Sequence, residues 1–129
     1  EGLMNLVEML KDHSSVVGQG QARKKVYELE ARLNIDLPKD FFDYLVNLNY
    51  AEIFDEPIYG INPEIKRLDI YEQNKHTEHF RYGFLMVFSN DIDGTIYIRP
   101  DTSNVYNASF TSPIANSFTE FVANVLKEA

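Results

Sequence analysis

Between Ala22 and Asn49 the apolar positions fall into two helical stripes separated by one proline. Ala22, Val26, Leu29 and Leu33 lie at i, i+4, i+7 and i+11, which predicts one buried face on a first helix. Phe41, Tyr44, Leu45 and Leu48 repeat at i, i+3, i+4 and i+7 and predict a second. Leu37-Pro38 is expected to stop the first helix and start the next, because proline fixes φ near the helical value and lacks an N–H that a first turn leaves unpaired anyway. The two stripes are expected to share a core.

The remaining pattern adds elements on both sides. Leu3, Leu6, Val7 and Leu10 predict a short amphipathic helix, ended by a loop through His13-Ser14-Ser15, Gly18 and Gly20. Residues 52–61 read as a hairpin, two short β-prone pieces around an acidic, proline-containing turn. Asn62-Pro63 can cap a further helix carrying Leu68 and Tyr71, and the polar run Gln73 to Glu78 predicts that it is short and exposed. Phe84 to Phe88 is five consecutive apolar residues, expected as the central strand of a sheet covered on both faces. Asn90-Asp91-Ile92-Asp93-Gly94 supplies turn chemistry. Thr95 to Arg99 then alternates, with Ile96 and Ile98 facing in and Thr95, Tyr97 and Arg99 facing the other way. Val105 to Phe110 is expected as the third strand of the meander. Ser117 and Glu120 form a capping-box pattern ahead of Phe118, Phe121, Val122, Val125 and Leu126, a clean helical stripe. Helices, then strands, then one helix imply an α+β fold, with N-terminal helices and a C-terminal helix packed on a small antiparallel sheet.

Length and composition bound this picture. At 129 residues, 44% of them hydrophobic, the chain is expected to form one domain over 1–129 with a core that needs no metal or disulfide support. It contains no cysteine, which excludes thiol nucleophiles, disulfides and cysteine-ligated zinc. No apolar run approaches the roughly 18 residues that span a bilayer, so a soluble, cytoplasmic protein with no membrane partner is expected. The net charge is −8, and residues 51–129 carry 12 acidic against 6 basic side chains. Phosphate backbones demand clustered Lys and Arg, so direct nucleic-acid binding is disfavoured, while a basic protein partner would be steered to such a surface.

With these elements placed, the run Leu29-Glu30-x-x-Leu33-Asn34-Ile35-x-Leu37-Pro38-x-Asp40-Phe41, with Tyr44-Leu45 after it, resembles the SUKH superfamily. That superfamily includes bacterial toxin-immunity proteins and the yeast Smi and Knr cell-wall regulators. Ile58-Tyr59-Gly60 matches its Ile-Tyr-Gly-like strand, Ser117-Phe118-Thr119-Glu120-Phe121 resembles its closing helix, and the likeness spans most of residues 20–127. One departure stands at the end of the Leu-Pro helix, where the family usually has Asn-Gly or Gly-Gly and this chain has Asn47-Leu48-Asn49-Tyr50-Ala51. Asn49 can take the left-handed position that glycine favours. The resemblance implies a non-catalytic binding protein. Its bacterial members act as cytoplasmic antidotes to a cognate polymorphic toxin domain, here expected to be a basic one such as a nuclease. The yeast relatives imply the alternative of a regulatory or scaffolding module linked to cell-envelope synthesis.

The candidate chemistry is sparse. His76-Thr77-Glu78-His79 is neither H-E-x-x-H nor H-x-x-E-H and lacks a third ligand, so two exposed histidines and no metal are expected. Aligning Asp91-x-Asp93-Gly94 to a calcium loop puts Ser89 at the first position and Pro100 at the bidentate one, which leaves ordinary turn residues. Asp91, Asp93 and Asp101 in solvated turns lack the contrasting environments of a general acid and a general base. Arg23-Lys24-Lys25 reads as the solvated face of its helix. No nucleophile elbow, P-loop or dinucleotide fingerprint occurs, and no enzyme activity or cofactor is expected. The candidate partner-binding residues are Glu52, Asp55, Glu56 and Tyr59 around the first hairpin, with Tyr97 and Asp101 near the later strands. Tyrosine is a rigid interface anchor, and carboxylates steer a basic partner.

Overall fold

The computed structural model describes residues 5–127. The expected α+β arrangement is present: α1 (Leu6–His13), α2 (Arg23–Leu33), α3 (Lys39–Asn47), a hairpin of β1 (Glu52–Ile53) and β2 (Glu56–Pro57), short helices α4 (Ile70–Asn74) and α5 (Glu78–Arg81), a meander of β3 (Leu85–Asn90), β4 (Gly94–Ile98) and β5 (Val105–Tyr106), and α6 (Phe118–Lys127). Of the N-terminal apolar set, Leu3 lies outside the described residues. Leu6 and Leu10 are buried, and Asn5 and Glu8 close a reciprocal capping box at the start of α1.

The helix pair forms as the stripes predict, with different punctuation. Val26, Leu29 and Leu33 are buried, but Ala22 is the extended residue before α2 and is exposed. The first helix ends not at Pro38 but at Asn34, whose φ of 57° turns the chain into the left-handed region that a short amide side chain tolerates. Pro38 occupies the position before the first helical residue of α3. The link between them is held by the Glu30 carboxylate, which accepts the Leu37 N–H at 2.8 Å. Asp40 accepts the Phe41 N–H at 2.8 Å through one oxygen and both the Thr119 N–H and hydroxyl at 3.0 and 2.7 Å through the other. The Leu-Pro-x-Asp-Phe run is therefore a clamp between the starts of α3 and α6. At α6 itself Ser117 accepts the Glu120 N–H, while the Glu120 carboxylate reaches Asn116 rather than completing the reciprocal pair.

The sheet corrects two expectations. β4, not the apolar run 84–88, is the middle strand, and β3 is an edge. A bulge between Met86 and Phe88 sets Val87 and Phe88 both into the core, which is why the run lacks alternation. The third strand reaches only Tyr106. The outer edge of β3 is closed by side chain and loop in place of a strand. Tyr59 donates its N–H to Val87, and Asn74, fully buried at the end of α4, accepts the Met86 N–H at 2.7 Å and donates to the Met86 carbonyl at 3.0 Å. Asn49 does the same at Ile61, at 2.8 and 2.9 Å, from a φ of 58°. The left-handed site expected of Asn49 is thus filled, and its amide adds two bonds that glycine could not make.

The segment 62–81 is less exposed than its polarity suggests. Asp69, not Asn62, caps α4, and Leu68, Asp69, Ile70 and Asn74 are buried. His79 corrects the expectation of two exposed histidines: it is half-buried, its ring edge-on to Tyr97 at 5.1 Å. Its Nε2 lies 3.1 Å from Asn74 Oδ1 and 3.0 Å from Thr77 Oγ1, and since that hydroxyl donates to the Asn74 carbonyl, Nε2 carries the hydrogen. Burial lowers its pKa from the ordinary 6.5. The folded state then binds fewer protons than the unfolded chain below that value, so its contribution is complete above about 6.5 and is lost as pH falls through the folded pKa. Thermal melts at constant ionic strength should show the midpoint falling through that window, with a shallower fall in His79→Gln. An identical slope in both proteins would remove His79 from the acid response.

Candidate partner-binding surface

The first hairpin turns through Phe54 and Asp55, whose φ values of 48° and 71° are those of a primed two-residue turn. Pro57 therefore sits in β2 and not in the turn as expected. Such a turn favours Asn-Gly, and here it lifts a phenylalanine ring to the surface, 48% exposed and edge-on to His13 at 4.7 Å. His13 Nε2 also accepts the Phe54 N–H at 3.0 Å.

Beside it stands the β3–β4 turn. Asn90 organises that turn by accepting the N–H groups of Ile92 and Asp93, and Ile92 is left 93% exposed at its tip. A cleft of about 520 Å³ joins the two turns, with Ile53 and Val125 among its apolar lining and Glu56, Asp91 and Asp93 among its polar lining. A smaller cleft of about 200 Å³ on the other side of Phe54 is lined by His13, Glu52 and Asp55 among others. Among the described residues, five carboxylates thus gather around two exposed apolar side chains, no lysine or arginine lines either cleft, and none of the five is in an ion pair. Glu52 is the least available of them. It accepts the Tyr50 hydroxyl, and that bond, with burial behind it, pushes the Tyr50 phenol up to about 12.

The six residues singled out by sequence do not form one patch. Glu52, Asp55 and Glu56 belong to this acidic end. Tyr59 is half-buried against the core, and Tyr97 is 8% exposed beneath the rings of His79, Phe84 and Phe110. Burial pushes both phenols up, and for Tyr59 the neighbouring Tyr97 adds to it. Tyr97 faces away from Ile96 and Ile98 as alternation requires, but that second face of the sheet carries its own aromatic cover. Asp101 lies past the far end of β4, paired with Arg99 at 3.4 Å. The register, Asn90 opposite Gly94 at one end and Leu85 opposite Ile98 at the other, separates the two ends of the hairpin by roughly 17 Å at about 3.3 Å per residue, and Asp101 lies beyond the far end.

Sequence reading missed Phe54, Ile92, Asp91 and Asp93 as surface partners of Glu56. Turn chemistry accounts for Asp91 and Asp93 locally. The available signal was the isoleucine at the centre of a polar turn, where no local rule asks for one.

Among the described residues no helix is long and apolar enough to cross a membrane. A family model, SUKH_5, described as SMI1-KNR4 cell-wall, matches residues 3–127 of the chain. No curated protein matches it significantly.

Proposed function

This chain belongs to the SMI1-KNR4 cell-wall family within the SUKH superfamily, and from that premise we propose that it is a cytoplasmic, non-catalytic antidote that binds a basic toxin domain and occludes its active site. The observation that supports this reading is the acidic end of the molecule. Apolar knobs on two separate turns, ringed by unpaired carboxylates, combine the anchor and the steering field that a protein interface uses. Occlusion is stoichiometric and asks only that the surface stay folded and accessible. No step of bond making is placed on the chain.

The test is co-expression with the toxin-like product of the neighbouring gene, reading growth rescue and one-to-one capture. Glu56→Lys with Asp91→Lys should slow association by about tenfold or more at low salt, with the difference shrinking as salt rises. Asp91 is exposed and Glu56 half-buried, and among the described residues neither side chain is in a hydrogen bond or ion pair, so stability should stay within about 0.5 kcal/mol. Asp55 is left unchanged because its φ of 71° would turn any substitution into a test of the backbone. Unaltered association kinetics in the charge-reversed protein would take this surface out of the interface.

The cell-wall description of the matched family supports a second reading, a regulatory or scaffolding module linked to cell-envelope synthesis. Capture of an envelope-synthesis protein without rescue from any neighbouring toxin would favour it.

A further inference from the structure

A large concavity lies at the opposite end of the β3–β4 hairpin from the acidic turns. It is a groove of about 1020 Å³ walled by the α2–α3 link, the segment 75–83 and the residues that follow β4. Its apolar floor is Leu33, Ile35, Phe80 and Pro100. In a chain of net charge −8, this groove carries three permanent cations, Lys75, Arg81 and Arg99, against two carboxylates, Asp36 and Asp101.

These cations are not equivalent. Arg99 is part of the wall: it donates to Asp101 and to the Tyr82 carbonyl, lies 4.9 Å over the Phe84 ring, and fills the space a side chain at Gly83 would need, 3.1 Å from where a Cβ would stand. Gly83 has a φ of 97°, so the wall depends on glycine twice, for backbone and for room. Lys75 is tethered to Glu72 at 3.1 Å. Arg81 is exposed, and among the described residues its guanidinium has no ion-pair partner. A planar fork of donors at the rim of an apolar floor suits a carboxylate more than a water-exposed void.

We propose that this groove binds a short, extended, acidic segment of a partner polypeptide, with an apolar side chain on Leu33 and Phe80 and a flanking carboxylate on Arg81. At about 1020 Å³ the groove has room for several residues of extended chain. Asp36 and Asp101 on the same lining interrupt the cations, so no continuous basic track for a phosphate backbone forms, while a single flanking carboxylate can still meet Arg81. Because the groove and the acidic turns occupy opposite ends of one hairpin, both can be filled at once, and the proposal stands independently of the antidote reading.

The test is to pan a phage library of random short peptides against the full chain and its Arg81→Glu variant. Enrichment of sequences with an apolar residue between Asp or Glu, with affinity reduced about tenfold or more by Arg81→Glu and unchanged by Glu56→Lys with Asp91→Lys, is the expected result. Arg81→Ala, which cannot repel the peptide, should show a smaller loss in the same direction. No enrichment, enrichment of basic peptides, or binding insensitive to both Arg81 variants would overturn the proposal. A single-stranded oligonucleotide that binds wild type and not Arg81→Glu would also overturn it, by assigning the groove to nucleic acid.

Discussion

Phe41→Ala should lower stability by about 3–5 kcal/mol, the range for truncating a fully enclosed aromatic ring. Phe41 is 0% exposed, edge-to-face with Phe118 at 5.5 Å and tilted against Tyr44 at 5.3 Å, so its ring joins α3 to α6 as well as filling volume. The vacated space is bordered by other large rings, which cannot swing in without leaving their own rotamers. Burial likewise pushes the Tyr44 phenol up, and its hydroxyl donates to the Ile58 carbonyl, which pins one wall of the space. Urea titration should show the midpoint shifted at nearly constant slope. A loss below about 1 kcal/mol would mean that α3 and α6 do not meet through this ring.

Asn74→Leu should cost about 2–4 kcal/mol although it exchanges a buried polar side chain for an apolar one of similar size. The amide is the neighbour that Met86 otherwise lacks: on substitution Met86 loses both the acceptor for its N–H and the donor for its carbonyl, and Nδ2 also leaves the Ile70 carbonyl. Leucine recovers apolar contact and satisfies none of these groups. The damage should be local as well as global. Hydrogen exchange at Met86 should accelerate more than at Ile96 on β4, whose ladder is intact. Equal exchange at the two amides, or a near-neutral change in stability, would show that the edge is not held by this side chain.

These two sites differ in how far sequence alone could reach them. Phe41 was legible because helical spacing reports a buried face whatever that face meets. Helical spacing likewise places Phe118 and Phe121 in the core, and strand alternation Ile96 and Ile98, where they are. It failed at Ala22, which continues the spacing past the point where the backbone stops being helical. It failed again at β3, where a bulge replaces alternation and an asparagine replaces a strand. An amide that acts as a surrogate strand is set by two segments meeting in space, and no local pattern encodes that meeting. The candidate surface divides the same way. The charge of the first hairpin was visible, but its completion by Asp91, Ile92 and Asp93 depends on two turns being brought side by side by β2 packing along β3. Alternation sets Tyr97 on the face away from Ile96 and Ile98, and the rings that cover that face come from Phe84, His79 and Phe110, none adjacent to it in sequence.

The turn at Phe54-Asp55 has a bearing on any attempt to improve this protein. Holding two residues with side chains at positive φ costs about 1–2 kcal/mol for each that lacks a local compensation, least for the aspartate. Asn-Gly in their place would relax the backbone and raise the melting temperature, and a library screened for heat resistance alone would be drawn to it. That winner would have traded the projecting ring for a quieter turn. Ranking variants by robustness would therefore select against the exposed ring on which the proposed interface rests, and a useful screen must score capture and thermal endurance together.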